Sequence, residues 1–312
     1  MNVLVTGGCG YIGTLLTREL LGAGHSVTVV DTMWFGNHLV PHKNLKVLKE
    51  NIVNIDAIPM DGIETVIHLA NIANDPCGEL NAKLSWEVNA LASMRLVEKA
   101  IKHGVKRFLY ASSGSVYGVK QEAKVTEDLD LVPISDYNKT KMISERVLLS
   151  YKDKINILCI RPATVCGYSP RMRLDVSVNM LTMQALKNKR ITVFGGDQTR
   201  PNIHIKDMVG VYMHFLANGT KHEGVFNAGF ENISILDIAN KVALRIPSEV
   251  VVSESNDPRS YRLNSDKLLA TGFKQKYCID DAITEIMEAY ASKVLTDEEV
   301  HYNLKVMKKL NV

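Results

Sequence analysis

The sequence predicts an α/β protein with a doubly wound parallel sheet and a smaller C-terminal lobe. In the first half of the 312 residues, short apolar runs rich in β-branched residues alternate with helical patterns. Apolar strands separated by helices are typical of a parallel sheet that is covered on both faces. After Pro162 this alternation loosens, and loops rich in Gly, Pro and Arg separate shorter helices. A glycine-rich turn joins the first strand to the first helix.

Six runs are predicted to form the main strands: NVLVT, SVTVVD, LKVLKE, ETVIHLA, KRFLYAS and INILCIRP. Helical periodicity covers residues 12–21, 82–103 and 136–151. We therefore assign residues 1–165 to the sheet domain, with residues 203–228 returning to it, and residues 166–312 to the smaller lobe.

Composition excludes several classes of protein. A net charge of +3 with interspersed signs gives no basis for nucleic-acid binding. No apolar run reaches membrane-spanning length, and the first strand begins at residue 2, so neither a membrane span nor a signal peptide is expected. Five scattered cysteines without C-x-x-C spacing predict no disulfide framework and no metal site. These features favour a cytoplasmic protein.

The first turn has the spacing of a phosphate-binding loop. In VLVTGGCGYIG, Gly7, Gly10 and Gly13 lie between the first strand and the first helix. Glycine tolerates a positive φ and lets the backbone approach a pyrophosphate, which the helix N-terminus then favours. Asp31 ends the second strand, at the distance that a Rossmann-type dinucleotide site requires. A carboxylate there accepts bonds from ribose hydroxyls and repels a 2′-phosphate, so the predicted cofactor is NAD and not NADP.

A second group of polar residues lies further along the chain. RFLYASSGSVYG carries a strand directly into a cluster of serines, which either form a polar turn or present hydroxyls to a ligand. Tyr137 and Lys141 are four residues apart and share one helix face. An ammonium near a phenol stabilises the phenolate, so we expect a lowered pKa for Tyr137 and a role as a base.

These motifs resemble the extended short-chain dehydrogenase/reductases, and specifically the NAD-dependent nucleotide-sugar epimerase/dehydratase family. TGGCGYIG, VIHLA, SSGSVYG and YNKTK are similar to family motifs in the sheet domain. RPATVCG, FGGDQTRPNIHIKD and DPRSYRLNSDKLLATGF are similar to segments of the second half, so the resemblance covers nearly the whole chain.

The resemblance implies roles for individual residues. Catalysis would rest on a hydroxyl, a phenol and an ammonium: Ser113, Tyr137 and Lys141. The same Tyr137 and Lys141 would also contact NAD, together with Gly7, Gly10, Tyr11, Ile12, Gly13, Asp31, Asn51, Ile52, Leu69, Ala70 and Asn89. The nucleotide-diphosphate sugar would be bound by Ser113, Ser115, Asn179, Arg200 and Arg259.

Two positions depart from the family pattern. Members that dehydrate a 4-keto sugar carry Asp and Glu after the catalytic Ser or Thr, whereas this chain has Gly114 and Ser115. Neither residue transfers a proton at neutral pH, which argues against a 4,6-dehydratase. Asn51 replaces the usual Asp at the adenine, and an amide can still pair with the base.

The predicted function is NAD-dependent oxidation at C4 of a nucleotide-linked sugar. If the ketone is re-reduced the enzyme is a 4-epimerase, and if it is released the enzyme is a 4-dehydrogenase, for which a GDP-heptose is one candidate substrate. A non-catalytic NAD-binding sensor is the alternative, opposed by the Tyr–Lys pair, and Asp31 opposes an NADP-linked reductase. The resemblance also implies a homodimer or higher homo-oligomer built on helices 82–103 and 136–151, whose apolar residues extend beyond one face: Leu91, Met94, Met142, Val147 and Leu148.

Overall fold

The computed structural model describes residues 1–254 and 260–312. Its strands are β1 (Asn2–Thr6), β2 (Ser26–Asp31), β3 (Leu45–Lys49), β4 (Thr65–His68), β5 (Arg107–Ala111), β6 (Asn156–Pro162), β7 (Thr164–Cys166), β8 (Arg190–Phe194), β9 (Thr199–His204), β10 (Gly224–Ala228), β11 (Glu231–Ser234) and β12 (Glu249–Ser253). Its α-helices are α1 (Tyr11–Gly22), α2 (Asp75–Leu80), α3 (Ala82–Trp86), α4 (Ala92–Lys102), α5 (Asp136–Leu149), α6 (Ser177–Asn188), α7 (Ile205–Ala217), α8 (Ile235–Arg245), α9 (Asp266–Leu269), α10 (Ile279–Ala291) and α11 (Asn303–Leu310).

The main sheet has seven strands in the order β3–β2–β1–β4–β5–β6–β10, and every neighbouring pair is parallel. The predicted doubly wound Rossmann-type sheet is therefore confirmed, and all six predicted strands belong to it. The direction of strand order reverses between β1 and β4, where ligands bind at the carboxyl edge of such sheets. This reversal places the turn after β1 beside the loop after β4.

The smaller lobe contains two minor sheets. The first has the order β11–β9–β7 and the second pairs β12 with β8. Helices α6, α8 and α10 pack against these strands and against each other around a separate apolar cluster. In the predicted returning segment 203–228, β10 is the edge strand of the main sheet and α7 packs against α1. Among the helices of the described ranges, none is long and apolar enough to cross a membrane.

The predicted helix 82–103 is present but is not a regular α-helix throughout. A π-helical turn, Glu87–Leu91, joins α3 to α4. Asn89 lies in that turn and is fully buried. Such turns are rare and are frequently found near functional sites.

The turn between β1 and α1 has no room for side chains at two of its glycines. Gly7 has a φ of 74°, and a Cβ there would lie 2.6 Å from the backbone nitrogen of Ala70. A Cβ on Gly13 would lie 2.3 Å from the carbonyl oxygen of Gly7. Strand, turn and helix are therefore in direct backbone contact, which only glycine allows at these two positions.

We expect Gly13→Ala to reduce the free energy of unfolding by roughly 1–3 kcal/mol, because the added methyl collides with backbone that must shift. Gly22→Ala is the matched control, since it lies on the same helix and a Cβ there meets nothing within 4 Å. Urea unfolding of the two variants beside the wild type measures the difference. Equal stability of Gly13→Ala and the wild type would show that the turn is not closely packed.

Candidate active site

A cleft of about 780 Å³ runs along the carboxyl edge of the main sheet and extends under the smaller lobe. Most of the predicted site residues line it: Gly7, Gly10, Tyr11, Ile12, Gly13, Asp31, Asn51, Ile52, Leu69, Ala70, Ser113, Ser115, Tyr137 and Arg200. Three do not line it and lie behind its wall: Asn89, Lys141 and Asn179. Arg259 lies outside the described residues.

Asp31 is held rigidly at one end of the cleft. One carboxylate oxygen accepts a bond from the backbone N–H of Cys9 (3.0 Å) and the other from that of Met33 (2.7 Å). Burial raises the pKa of Asp31, and these two bonds oppose the increase. Each oxygen retains a second lone pair, which can accept a ribose hydroxyl. Together with the glycine turn, this donor and acceptor set fits a dinucleotide.

The serine cluster both forms a turn and faces the cleft. Ser113 caps the short 3₁₀ helix Gly114–Tyr117, and its hydroxyl lies 2.7 Å from that of Ser115. Ser115 in turn donates to the side-chain oxygen of Asn138 at 2.5 Å. A hydrogen bond between Ser113 and Tyr137 favours the phenolate. The two groups thus meet at one point of the cleft wall.

The expectation that Lys141 lowers the pKa of Tyr137 is wrong. Burial raises the pKa of Tyr137 to about 12, with Asp75 adding to the increase, while Ser113 and Arg173 oppose it. The Lys141 ammonium donates to the carbonyl of Ala111 at 2.7 Å and lies 6.0 Å from the centre of the Tyr137 ring. Burial lowers the pKa of Lys141 itself to about 7. Spacing along a helix does not reveal how completely such a pair is desolvated.

Behind the serines lies a buried ion pair. The guanidinium of Arg161 donates to both carboxylate oxygens of Glu145, at 2.7 Å from Nη2 and 3.0 Å from Nε. Ser112 donates to the same carboxylate, and Arg161 donates to the Tyr117 hydroxyl at 2.6 Å. Ser112 and Ser113 both line the cleft, but the hydroxyl of Ser112 is occupied by its bond to Glu145.

The two buried asparagines support parts of the cleft wall. Asn89 accepts from the backbone N–H of Ile72 (2.7 Å) and donates to the hydroxyl of Thr140 (3.1 Å), which joins the loop after β4 to α5. Asn179 donates to the Tyr11 hydroxyl (3.0 Å) and accepts from the N–H of Gly167 (3.0 Å). Both side chains act on the cleft through the residues that they hold.

Several residues that line the cleft have no role in the sequence analysis. Arg171, Arg173 and Asp175 come from the loop between β7 and α6, and Arg173 pairs with Asp175 at 2.9 Å. Their alternation in RMRLD is a signal for one shared face of an extended segment. Asp75 lines the same cleft and accepts a bond from Ser135 at 2.5 Å.

Residues 3–229 match the family described as NAD dependent epimerase/dehydratase. The chain belongs to this family. The predicted resemblance and the predicted NAD cofactor are therefore confirmed. The family fit agrees with the geometry, because the glycine turn and Asp31 lie in one cleft, as a dinucleotide site requires.

Proteins that are similar to this chain align with most of its length. A protein of Bacillus subtilis strain 168 named "Uncharacterized UDP-glucose epimerase YtcB" is 34% identical over 268 residues, which are 78% of this chain and 81% of the relative. The solved structure of MoeE5 in complex with UDP-glucuronic acid and NAD is 25% identical, with a TM-score of 0.83 over 95% of this chain and 100% of that chain. The UDP-glucuronic acid 4-epimerase from Bacillus cereus, solved with UDP-glucuronic acid and NAD, is 25% identical, with a TM-score of 0.80 over the same shares.

We expect Lys141→Met to stabilise the fold at low pH. The pKa of about 7 in the folded state lies below the ordinary 10.5, so the unfolded chain binds the extra proton between these two values. The contribution of Lys141 to stability therefore rises with pH through this window and is least favourable below pH 7.

The stability of Lys141→Met relative to the wild type should accordingly be greater at pH 6 than at pH 10, by roughly 2–5 kcal/mol. Urea unfolding at both pH values gives this difference. Lys139→Met, at an exposed position of the same helix, is the control and should show no such pH dependence. A pH-independent difference for Lys141→Met would mean that the buried amine keeps its ordinary pKa.

Proposed function

We propose that this enzyme oxidises the C4 hydroxyl of a nucleoside-diphosphate sugar and then re-reduces the ketone, as a 4-epimerase. The observation that carries the proposal is the meeting of Ser113 and Tyr137 in the same cleft as the dinucleotide turn and Asp31. The epimerase names of two relatives support re-reduction, and the UDP-sugars named for MoeE5 and the Bacillus cereus enzyme favour uridine as the base.

In the proposed mechanism, Tyr137 removes the proton of the C4 hydroxyl and Ser113 hydrogen-bonds the same oxygen. When bound, NAD supplies the hydride acceptor and a positive ring that favours the phenolate. With a pKa of about 12 in this structure, the phenol is protonated at neutral pH and so carries the proton that re-reduction returns to the sugar oxygen. Lys141 keeps α5 at the end of β5 through its bond to Ala111.

The bonding of the carboxylates in the cleft supports our proposal that the enzyme does not remove water from its sugar substrate. Gly114 and Ser115 supply no acid or base beside Ser113. Four carboxylates of the described residues line the cleft: Asp31, Glu50, Asp75 and Asp175. Asp31 and Glu50 accept backbone N–H groups at the ends of β2 and β3, Asp75 accepts from Ser135, and Asp175 is paired with Arg173. A carboxylate engaged in such bonds is poorly placed to expel the C6 hydroxyl, which supports retention of that group.

The diphosphate of the substrate is assigned to the smaller-lobe side of the cleft. Arg200, on β9, lines the cleft there together with Gln198 and Tyr261. Guanidinium groups bind phosphate oxygens in a bidentate manner, which suits Arg200 to this role. We propose the same role for Arg259.

The test is Tyr137→Phe, which keeps the ring and removes the phenol. Turnover of the nucleotide sugar should fall by roughly 10²–10⁴-fold while NAD still binds, because a positioned acid–base group is lost. Ser113→Ala should reduce turnover by a smaller factor, because it removes only one hydrogen bond to the reacting oxygen. Tyr151→Phe, which removes a phenol outside the cleft, is the control and should leave turnover unchanged.

Mass spectrometry of the product distinguishes the alternatives. An unchanged mass with inversion at C4 identifies an epimerase, and a loss of two hydrogens identifies a 4-dehydrogenase. Loss of one water would contradict our assignment of positions 114 and 115. Tight NAD binding without turnover of any UDP-, GDP-, CDP- or dTDP-sugar would favour the sensor alternative.

We also propose the homodimer that the sequence predicts, built on helices 82–103 and 136–151. Trp86 and Leu91 of the first helix are 37% and 40% exposed, and Met94, Met142 and Val147 are half-buried. Leu148, expected on the outer face of the second helix, instead lies fully buried in the core of the chain. Apolar side chains grouped on one helical face favour association over exposure to water.

Sedimentation at micromolar concentration should give the mass of a dimer, and Leu91→Glu should shift it toward the monomer. Leu244→Glu is the control, because Leu244 is 86% exposed on α8 of the smaller lobe. A monomeric wild type would contradict the proposed interface.

A further inference from the structure

The last described segment of the chain, residues 299–312, forms part of the wall of the cleft. Four consecutive residues of this segment line it: Tyr302, Asn303, Leu304 and Lys305. Helix α11 packs against α2, and the carbonyl of His301 accepts from the N–H of Leu174 at 2.9 Å. The segment therefore contacts the sheet domain on one side and the loop between β7 and α6 on the other.

The segment is also anchored in the apolar core of the sheet domain. Met307 is only 2% exposed and packs in the cluster that contains Ile52 and Ile72. Leu304 and Trp34 pack against the same cluster. Ile52, Ile72 and Trp34 all line the dinucleotide half of the cleft, so the segment lies over that half.

Arg171 joins this segment to the smaller lobe. It is 3% exposed, and its Nη2 donates to the side-chain oxygen of Asn303 at 2.6 Å. On the other side, its guanidinium carbon lies 4.0 Å from the centre of the Phe35 ring, four residues after Asp31. Its Nε has no acceptor among the residues that the structure describes. Phe35, Arg171 and Asn303 thus form a continuous chain of contacts in the wall of the cleft.

Asn303 makes a second contact across the same boundary. Its backbone N–H donates to the carboxylate of Asp175 at 3.2 Å, and the side chain of Asn74 donates to the same oxygen at 3.2 Å. Asn303 itself is 5% exposed. A buried residue with charged partners is held in one conformation, because leaving those partners unpaired is costly.

We propose that residues 299–312 are the outer wall of the dinucleotide site, and that Asn303 is the positioning residue that keeps this wall closed. Entry and departure of NAD(H) then require the bonds of Asn303 to Arg171 and Asp175 to break. The cofactor is consequently retained between turnovers, which is what an enzyme needs when it returns the hydride that it has just removed.

The test compares Asn303→Ala with Lys308→Ala, an exposed position on the same helix. NADH fluorescence in a stopped-flow instrument gives the association and dissociation rate constants without any sugar. Loss of a hydrogen bond to a charged group should raise both rate constants of Asn303→Ala roughly 10-fold, since the wall opens more easily. Lys308→Ala should match the wild type.

The outcomes are distinct. Rate constants equal to those of the wild type would overturn the proposal, and so would faster dissociation with unchanged association, which would indicate direct contact between Asn303 and the cofactor. Phe35→Ala removes the ring on the other side of Arg171 and should raise both rate constants as well, which tests the wall if Asn303→Ala fails to fold. Because no sugar is used, either result leaves the proposed C4 chemistry untouched.

Discussion

The cleft at the carboxyl edge of the main sheet depends on the buried ion pair between Glu145 and Arg161. Their side chains are 2% and 5% exposed, and the pair links α5 to β6. Ser112, which directly follows β5, donates a hydrogen bond to Glu145. The hydroxyl of Tyr117 extends the network to β10 by donating to the side-chain oxygen of Asn227 at 2.9 Å. Removal of one partner from a buried pair costs about 3–5 kcal/mol, because the other charge is left uncompensated. Together with the bond of Lys141 to Ala111, this pair holds α5, and with it Tyr137, against the strand ends.

The protonation states around the cleft have a common physical origin in burial. Desolvation lowers the pKa of Lys141 to about 7 and that of His68 to about 3, and it raises the pKa of Tyr137 to about 12. In each case the neutral form is favoured. Neutral His68 can then bridge the hydroxyls of Thr6 and Ser93, which joins β1, β4 and α4. Burial of ionisable groups along this edge thus imposes a stability cost on the fold wherever the charged form is favoured in the unfolded chain.

Sequence patterns predicted the parts of the site that depend on local geometry. The glycine spacing and Asp31 are determined by one strand, one turn and one helix, so short-range reasoning places them correctly. Arg171 and Asn303 are 132 positions apart, and their contact depends on how two lobes meet. No periodicity or spacing carries that information. The expected lowering of the pKa of Tyr137 is wrong for a related reason. Burial raises this pKa, and burial is a property of the whole fold that the spacing of Tyr137 and Lys141 does not contain.

The π-helical turn Glu87–Leu91 has a consequence for the helix that contains it. The carbonyl of Asn89 accepts bonds from two serine hydroxyls, that of Ser93 at 2.6 Å and that of Ser144 on α5 at 2.7 Å. The extra residue in a π-helical turn shifts the phase of the helix. The faces of α4 are therefore rotated about the helix axis by about 100°, the angle of one residue, compared with an uninterrupted α-helix that continues α3. Deletion of one residue in this turn would restore regular phase and rotate α4 relative to α3. The irregular turn therefore sets the register in which two neighbouring helices dock.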